Sequence, residues 1–398
     1  MTAPGGDHER SPSVAVGLYS VSKNYDNKRN AISEVSFEVM SGEFAVLLGP
    51  SGSGKSTIVR AIAGIEKISG GEISLFGDQV ASKGRHLSSE RRGLSMVFQD
   101  YALWPHMSVL DNVAFALKRM KLDPRSRKAQ AGEILAKVGL EAKTHRFPAE
   151  LSGGEQQRVA LARALVAHSG LILFDEPLSN LDSDLRERMR VEIATLTREY
   201  NATVIYITHD QGEAFALADK IGVLSEGRLV QFGEPEEIYE NPSNPFIARF
   251  TGLAGELHGV AAGTTQDGLL EVDVHGVKRR VLTRAMEPIH RGQRVHLAIR
   301  ASAVSLKIAS APTTESARVA DVAYRGRGYE HAVTIGEHML NSVFATHRVP
   351  RGARVELQLD PSGCMAFCDD GRSDLHLAEE ETPSASLTSA QKYREVAI

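Results

Sequence analysis

The sequence predicts an α/β unit built on a parallel sheet, followed by a smaller all-β unit. Three observations lead to this fold class. The apolar run FAVLLG at 44–49 precedes a glycine-rich stretch and a helical pattern. Two further apolar runs, LILFD at 171–175 and TVIYITH at 203–209, flank a helical segment and so form a strand–helix–strand unit. After NPSNPF at 241–246, the chain changes to short alternating segments separated by Gly and Pro.

Composition and charge narrow the function classes. The 398 residues are 42% hydrophobic and 24% charged, which is typical of a folded chain with two or three domains. The formal charge of −4 predicts no nucleic-acid partner, and no apolar run approaches the roughly 20 residues of a membrane helix. The N-terminus has no signal-peptide pattern, and Cys364 and Cys368 are too few for a disulfide framework. We therefore expect a reducing compartment, with a Cys-x3-Cys metal clip as the alternative reading of the cysteines.

The beginning of the chain predicts a tail, then strands, then a helix. Residues 1–12 are polar and predict a disordered tail, and the alternating segments that follow predict half-buried strands. FAVLL predicts a strand buried on both faces. KSTIVRAIAGI predicts a helix on which Ile58, Ile62 and Ile65 share a face.

The rest of the first unit is mainly helical before the second apolar run. Residues from about 88 to 160 predict a helical subdomain. LRERMRVEIATLTREY predicts a helix whose apolar face carries Leu185, Met189, Ile193 and Leu196. The predicted domains are therefore an α/β domain over 13–240, a β-barrel domain over 241–377 and a disordered tail over 378–398.

A repeat marks the second unit. RGQRVHLAI at 291–299 and RGARVELQL at 351–359 share Arg, Gly, Arg, Val and Leu, and each ends in a period-two pattern. Two related β units in a small barrel explain this repeat, while chance similarity of two strand entries is the alternative.

Residues 49–56 satisfy the pattern G-x-x-x-x-G-K-[ST]. Glycines let the backbone N–H groups turn inward toward phosphate oxygens, and the following helix presents its N-terminus to the same anion. Lys55 can reach the β- and γ-phosphates, and the Ser56 hydroxyl is a Mg²⁺ ligand. A glycine-rich turn with an accidental lysine is the alternative. The predicted nucleotide-binding residues are Gly49, Pro50, Ser51, Gly52, Ser53, Gly54, Lys55, Ser56 and Thr57.

Acidic residues end the second apolar run. LILFDEP places Asp175 and Glu176 at the carboxyl end of a buried strand, where α/β sheets bind ligands. Asp175 suits the Mg²⁺ shell, and Glu176 suits polarisation of an attacking water; helix N-capping is the alternative. His209 ends the next apolar run and is therefore predicted at the same sheet edge, as a γ-phosphate contact.

A second glycine-containing loop precedes a helix in LSGGEQQRVALARAL at 151–165. Ser152, Gly153 and Gly154 offer a hydroxyl and bare backbone N–H groups, which is a second anion cradle without a lysine. The chain has no Asn-Lys-x-Asp motif, which weighs against a GTPase.

The motifs GPSGSGKST, MVFQDYALWPHMSV, LSGGEQQR, LILFDEP, SNLD and THDQ stand in this order. The set resembles the ATP-binding subunit of ABC transporters over about residues 14–250. The resemblance implies an α/β P-loop NTPase with a RecA-like core plus helical subdomain, which hydrolyses ATP with Mg²⁺. It implies that Gln99 is a Q-loop residue in contact with Mg²⁺ or water. Tyr25 would stack on adenine, unless it is a tyrosine of the strand core.

The resemblance also implies a homodimer. In the family, the signature residues Ser152, Gly153, Gly154 and Glu155 close over the γ-phosphate bound to the partner chain. Asp182, in the D-loop, would lie at the dimer contact. Glu155 stands where many relatives carry Gln, and we expect little effect because the backbone does the binding.

QFGEPEEIYENPSNPFIARFTG is similar to the importer subgroup with C-terminal regulatory barrels of the OB-like (TOBE) type. In VHLAIRASAV, Ala301 and Ser302 stand where that subgroup usually has Pro-Glu, which weakens any inference of substrate. The implied partners are transmembrane permease subunits and, indirectly, an extracellular solute-binding protein. The implied location is peripheral, on the cytoplasmic face of the plasma membrane. Trp104, where Phe or Tyr is more usual, would lie on the surface that receives the permease, although its aromatic neighbourhood also suits a simple core.

The cargo is less determined, because the ATPase of such systems does not touch it. DVAYRGRGYEHAVTIGEHML and two segments of the first unit resemble ferric-iron importers most closely, while polyamine, phosphonate, quaternary amine and sugar importers share most features. The predicted function is the ATP-hydrolysing subunit of an importer for a small solute, with ferric iron as first candidate. A regulatory nucleotide-binding module is the alternative from another class, and intact Glu176 and His209 weigh against it.

Overall fold

The structure is a computed structural model that describes residues 13–25, 29–283, 288–309 and 317–369. The two predicted tails lie outside the described residues. The chain divides into two compact units, Met1–Thr251 and Gly252–Ile398, and each is described by itself.

The first unit contains eleven strands and eight α-helices among its described residues. Its strands are β1 Val14–Tyr25, β2 Arg29–Met40, β3 Phe44–Leu48, β4 Gly70–Leu75, β5 Asp78–Ser82, β6 Arg85–His86, β7 Ser95–Val97, β8 Leu171–Asp175, β9 Thr203–Thr208, β10 Lys220–Ser225 and β11 Arg228–Gly233. Its helices are α1 Lys55–Ala63, α2 Val109–Ala116, α3 Pro124–Lys137, α4 Gly153–Val166, α5 Ser183–Glu199, α6 Gln211–Leu217, α7 Pro235–Glu240 and α8 Pro245–Phe250.

The central sheet of the first unit has the strand order β11-β10-β3-β9-β8-β7. All neighbours in it are parallel except the edge pair β10–β11. Every residue of β3, β8 and β9 is buried, as their uninterrupted apolar runs predict. Since these three strands are parallel neighbours, their carboxyl ends meet at one edge, and the motifs that follow them meet there too.

A second sheet, with the order β2-β1-β4-β5-β6, covers α1 from its other side. Ile58 and Ile62 of α1 are fully buried in the hydrophobic cluster that this sheet helps to form. The prediction for Ile65 was wrong, because Ile65 lies beyond the helix and is 49% exposed. Gly64 ends α1 in the left-handed conformation, with φ of +77°, and so turns the chain away before another helical turn can form.

Three helices, α2, α3 and α4, lie within the span predicted for a helical subdomain or extend just past it. The face predicted for α5 is also observed: Met189, Ile193 and Leu196 are buried, and Leu185 is partly buried. The first unit ends later than the predicted boundary at residue 240. Ile247 of α8 belongs to the same hydrophobic cluster as the central sheet, so the compact unit continues to Thr251.

The second unit is all β in its described residues. Its strands are β12 Gly255–Thr264, β13 Leu270–Val274, β14 Val277–Thr283, β15 Arg294–Ile299, β16 Val304–Ile308, β17 Arg318–Tyr324, β18 Tyr329–Ile335, β19 His338–Ala345, β20 Val355–Leu359 and β21 Cys364–Cys368. The pairs β12–β13, β13–β14, β14–β21, β21–β15 and β15–β12 close a ring of five strands. This closed barrel has the one parallel pair, β14–β21, and confirms the OB-like prediction.

The repeat seen in the sequence forms two copies of one strand–turn–strand unit. The first copy is β15, a 3₁₀ turn at Ala301–Ala303 and β16; the second is β20, a 3₁₀ turn at Pro361–Gly363 and β21. The copies pair crosswise, β15 with β21 and β16 with β20. Their turns exchange two equivalent hydrogen bonds, from Arg300 N to Gly363 O at 2.9 Å and from Asp360 N to Ala303 O at 2.8 Å. The two copies are therefore related by a pseudo-twofold. β15 and β21 pair in the sheet that contains the barrel, and β16 and β20 pair in a separate sheet.

The cysteines do not form a metal clip. Cys364 and Cys368 are not joined by a disulfide and lie at opposite ends of β21, where four residues of strand span about 13 Å. Burial raises the pKa of Cys364 to about 12, so its thiol stays protonated. In the part of the chain that the structure describes, no helix is both long and apolar enough to cross a membrane.

Candidate nucleotide site

The loop after β3 needs glycine at two points. Gly49 has φ of +156° and Gly54 has φ of +102°. A Cβ on Gly49 would lie 2.3 Å from the backbone oxygen of Leu224, and one on Gly54 would lie 2.7 Å from that of Ala31. The close approach of neighbouring backbone therefore fixes the curl of this loop, which ends directly at the N-terminus of α1.

Lys55 is the first residue of α1, and its side chain is folded back into the loop. It is 4% exposed, and its Nζ donates hydrogen bonds to Gly49 O at 2.7 Å and Pro50 O at 2.9 Å. Burial lowers the pKa of Lys55, while the nearby carboxylates of Glu176 and Asp175 oppose that shift. The ammonium group is thus held inside the loop, facing the acidic end of β8.

Ser56 and Asp175 bring two oxygens together between α1 and β8. The Ser56 Oγ donates to Asp175 Oδ1 at 3.0 Å, and Asp175 is 6% exposed. The guanidinium of Arg60 lies 3.9 Å from the other carboxylate oxygen. A hydroxyl and a carboxylate at a phosphate loop are hard oxygen donors of the kind that Mg²⁺ prefers, so these residues fit that ion.

Glu176 and His209 meet at the same sheet edge. β8 and β9 are parallel neighbours with Asp175 opposite Ile207, so the residues that follow them emerge side by side. His209 Nδ1 lies 3.4 Å from Glu176 Oε2. Glu176 has φ of +49°, a conformation that costs free energy for a non-glycine residue and that is found preferentially at functional sites. The structure thus brings both predicted catalytic side chains together.

Gln99 is hydrogen-bonded to residues of the turn that follows Glu176. Its Nε2 donates to Ser179 Oγ at 3.3 Å, and its backbone oxygen accepts from Asn180 Nδ2 at 3.2 Å. The Ser179 Oγ in turn donates to Glu176 O at 3.0 Å. Gln99 is therefore tied to the loop that carries Glu176, and its predicted contact with Mg²⁺ stays a prediction.

The second anion cradle begins α4. Ser152 is the N-cap, and Glu155 accepts a hydrogen bond from Ser152 N at 3.0 Å while pairing with Lys143. The pair with Lys143, followed by the bond from Ser152 N, lowers the pKa of Glu155. A Cβ on Gly154 would lie 3.0 Å from the side chain of Leu185, so this position is closely packed. Glu155 thus stabilises the loop from within rather than facing outward.

Comparison with known proteins identifies the family of this chain. Residues 32–179 match the family model of the ABC transporter, and residues 297–367 match that of the TOBE domain. The Fe(3+) ions import ATP-binding protein FbpC of Escherichia coli K12 is 39% identical over 89% of this chain and 98% of its own. The chain belongs to the ABC transporter family. It is an ATP-binding subunit of the import type, with a TOBE domain.

Other relatives of this ABC chain differ in the solute that their names print. The sn-glycerol-3-phosphate import ATP-binding protein UgpC 1 of Rhizobium johnstonii is 44% identical over 75% of this chain and 78% of its own. The spermidine/putrescine import ATP-binding protein PotA of Marinobacter nauticus is 38% identical over 83% and 87%. Among solved structures, cbiO1 of Clostridium perfringens, part of the ABC transporter complex cbiONQ, is 26% identical over 57% of this chain and 90% of its own, with a TM-score of 0.51.

Tyr25 and Asp182 are the residues predicted to contact adenine and a second ABC subunit. Tyr25 is 45% exposed at the end of β1, and the Lys23 ammonium lies 4.7 Å from its ring centroid. Asp182 is the N-cap of α5, accepting from Leu185 N at 3.0 Å. Both side chains have ordinary structural contacts within the chain, so their roles toward adenine and a second subunit stay predictions.

Sequence reasoning missed Arg163, which joins the signature helix to the Gln99 loop. Its guanidinium donates to Tyr101 O and Ala102 O, each at 2.7 Å, and lies 4.9 Å from the Trp104 ring centroid. Tyr101 and Ala102 have φ of +62° and +44°, so the guanidinium holds two consecutive left-handed residues. The available signal was an arginine within the apolar stretch VALARALV of α4.

Proposed function

We propose that this chain is the ATP-hydrolysing subunit of an ABC importer, working as a homodimer on a separate membrane permease. One observation carries the proposal: Lys55, Ser56, Asp175, Glu176 and His209 converge at the carboxyl ends of three adjacent parallel strands. A phosphate loop alone indicates binding. A carboxylate and an imidazole in contact beside it supply the groups needed for hydrolysis.

The phosphate loop supplies the binding energy in this proposal. Backbone N–H groups within residues 51–57 and the Lys55 ammonium hold the β- and γ-phosphates. Ser56 and Asp175 would hold Mg²⁺, with Gln99 as a further ligand directly or through water. The ion, when bound, neutralises negative charge on the phosphates. Tyr25, at the exposed end of β1, stacks on the adenine.

Glu176 acts as the general base. Its carboxylate accepts a proton from the water that attacks the γ-phosphorus, the bond to the bridging oxygen breaks, and ADP leaves with that oxygen. His209, in contact with Glu176 Oε2, orients this carboxylate and donates a hydrogen bond to the γ-phosphate. The Glu176 carboxylate lies near enough to the Lys55 ammonium to oppose the fall of the Lys55 pKa that burial causes.

The second anion cradle acts on the nucleotide of a partner chain. Ser152, Gly153 and Gly154 offer donors at the start of α4, which carries no lysine of its own there. Asp182 would lie at the same contact. The surface around Trp104 receives the permease on the cytoplasmic face, and an extracellular binding protein supplies the solute on the other side.

Ferric iron is the first candidate for the cargo. The match to the Escherichia coli relative named for Fe(3+) covers 98% of that relative and therefore includes the barrel region. The match to the Rhizobium relative named for sn-glycerol-3-phosphate covers 78% of that relative. The latter is more identical, at 44% against 39%, so sn-glycerol-3-phosphate becomes the second candidate. It was not among the solutes weighed from the sequence.

The change Glu176→Gln tests the proposal. The amide keeps the shape of the side chain but accepts the proton far more weakly, so we expect ATP turnover to fall at least about 100-fold with ATP binding retained. Turnover is measured by phosphate release, and ATP-dependent dimerisation by light scattering. Glu133→Gln on the exposed face of α3 is the matched control. Unchanged turnover in Glu176→Gln would refute the assignment of the base.

A second arm of the same experiment addresses the cargo. The chain is purified with its permease, and turnover is measured with the solute-binding protein loaded with Fe³⁺, sn-glycerol-3-phosphate, spermidine, a phosphonate or a sugar. We expect stimulation with Fe³⁺ only. Stimulation by another solute would replace the cargo and leave the ATPase assignment intact. Turnover that no permease influences would favour the regulatory nucleotide-binding module instead.

A further inference from the structure

Four histidines lie together on the second unit, and none of them belongs to the residues of the nucleotide site. His258 is in β12, His275 in the turn between β13 and β14, His296 in β15 and His338 at the start of β19. The ring centroids of His258 and His296 are 5.1 Å apart, those of His258 and His338 are 5.3 Å apart, and those of His275 and His338 are 5.7 Å apart. We call this group the histidine cluster.

Strand pairing explains why residues so distant in sequence meet. His258 lies directly opposite His296 in the antiparallel pair of β12 and β15, which puts both side chains on one face. β12 also pairs with β19 on its other side, through Gly255 and Leu340. The three strands that carry His258, His296 and His338 are therefore neighbours in one sheet.

Two carboxylates border the histidine cluster. Glu256 Oε1 lies 3.2 Å from His296 Nε2, and Asp369 Oδ2 lies 3.9 Å from His258 Nδ1. Glu256 and His258 are two residues apart on one strand and so face the same side. The donors around His258 thus include imidazole nitrogens and carboxylate oxygens, which is a common ligand set for divalent transition-metal ions.

His296 has an unsatisfied nitrogen. Its side chain is 4% exposed, and its Nε2 makes no hydrogen bond within the described residues, since the approach of Glu256 lacks hydrogen-bond geometry. A buried polar atom without a hydrogen-bond partner costs free energy. Such an atom in a folded protein indicates an unseen ligand or a functional role. The nitrogen is buried beside the carboxylate of Glu256, within the histidine cluster.

The ring spacing fits shared coordination. A metal–nitrogen bond of about 2.1 Å plus the nitrogen-to-centroid distance of about 1.1 Å places each ring centre about 3.2 Å from a tetrahedral ion. Two such rings are then about 5.2 Å apart, by the tetrahedral angle. The distances of His258 to His296 and to His338 are 5.1 and 5.3 Å.

The rings need only rotation in place. As the side chains stand, no group of three His, Cys, Asp or Glu residues in the described ranges converges on one point. Rotation about the Cβ–Cγ bond redirects the imidazole nitrogens and barely moves the ring centre, and this torsion is soft for histidine. His258 is 54% exposed and therefore has room to turn.

We propose that the histidine cluster binds a divalent transition-metal ion of the zinc, nickel or copper class. His258 and His296 are its central ligands, with Glu256, Asp369 or His338 completing the site. This assignment stands apart from the proposed function, because none of these residues belongs to the nucleotide site. The second unit thereby gains a ligand site of its own, centred on the face that His258 and His296 share.

Calorimetric titration of the full-length chain with Zn²⁺ tests this proposal. We expect one equivalent to bind to the wild type and binding at this site to weaken at least tenfold in His258→Ala. His290→Ala is the matched control, because His290 is also an exposed histidine of the second unit but lies outside the histidine cluster. Cu²⁺ loading adds a direct readout, since nitrogen hyperfine splitting in the electron paramagnetic resonance spectrum reports bound imidazoles.

Equal Zn²⁺ binding by the wild type and His258→Ala would overturn the proposal, as would a Cu²⁺ spectrum with no nitrogen splitting. Because His258 is mostly exposed, His258→Ala should fold, and circular dichroism checks this. His258→Asn, which keeps a polar side chain at this position, serves as a second variant if the alanine variant proves unstable. It should show the same weakening of at least tenfold.

Discussion

Glu155 stabilises the start of α4 in two ways. Its carboxylate satisfies the Ser152 N–H, one of the backbone donors that a helix start leaves without a partner. It also pairs with Lys143, which brings a preceding 3₁₀ turn against the loop. A residue whose side chain is engaged in this manner shapes the loop, while the backbone N–H groups of Gly153 and Gly154, at the start of α4, stay available to an anion.

The change Glu155→Gln should therefore be mild and dependent on pH. The folded state holds the pKa of Glu155 below its usual 4.5, so its stabilising effect is full above 4.5 and is lost as the pH falls through the lower folded value. We expect the variant to lose under about 1 kcal/mol of unfolding free energy at pH 7, because the pair is partly exposed and Gln keeps an oxygen acceptor. The deficit should vanish in acid.

Urea unfolding of the wild type and Glu155→Gln over a pH series measures this effect, with the phosphate-release assay run in parallel. Turnover should remain within about twofold, because the backbone donors are unchanged. A deficit that persists unchanged far below pH 4.5, or a large loss of turnover, would show that the carboxylate acts on more than this loop.

At the scale of the element, α4 connects two parts of the site. Its N-terminus carries the signature residues, and Arg163 near its other end holds the turn after Gln99 through two carbonyl oxygens. Burial lowers the pKa of Arg163, and the Asp100 carboxylate opposes this shift. A movement of α4 would therefore be felt by the loop that carries Gln99 and Trp104.

Arg163→Lys should loosen that loop. A lysine carries one ammonium at the end of a flexible chain and cannot reproduce the planar fork that bridges two carbonyl oxygens. We expect the loss of about 1.5–3 kcal/mol of unfolding free energy. Amide hydrogen exchange over residues 99–104 should become faster. Arg188→Lys, on the exposed face of α5, is the matched control. Unaltered exchange over 99–104 would mean that the loop holds its shape without the guanidinium.

Helices and strands were predictable where the pattern is long. The buried runs of β3, β8 and β9 and the apolar face of α5 are as predicted, because period and burial leave one solution. Ile65 was placed wrongly because the period continues past Gly64, where the backbone conformation, not hydrophobicity, ends α1. The hydrophobic period alone does not reveal the end of such a helix, unless a glycine is taken as the end even where the period continues.

For the whole molecule, the hydrophobic clusters suggest where the chain can be divided. Two clusters use residues of the first unit only, and the third uses residues from Ala254 onward. A chain ended at Thr251 should therefore fold and bind ATP about as tightly as the full chain. Deleting residues 291–367 instead would leave β12 without its partner β15 and β14 without its partner β21.

Fluorescent ATP binding and thermal unfolding of the chain ended at Thr251 measure this, beside the full-length protein. The Kd should stay within about threefold, which corresponds to less than about 0.7 kcal/mol. A truncated chain that melts without a cooperative transition would show that the first unit depends on the second for its fold.

The nucleotide site was predictable from the sequence, whereas much of the second unit was not. Lys55, Asp175, Glu176 and His209 each follow an apolar run, and parallel strands bring such ends together. The crosswise pairing of β15 and β21 joins strands that are distant in sequence, and no local pattern encodes the choice of partner. The histidine cluster depends on that pairing and was invisible for the same reason.

The crosswise pair has a consequence for assembly. A single strand–turn–strand copy has unpaired edges and could complete itself only by meeting a like copy on another molecule, in a bimolecular step. Two copies in one chain make the same step unimolecular, since the connection between them sets a fixed local concentration of each for the other. Closure of the barrel therefore does not depend on the protein concentration. Either copy can also acquire side chains that the other lacks, as the first copy has with His296.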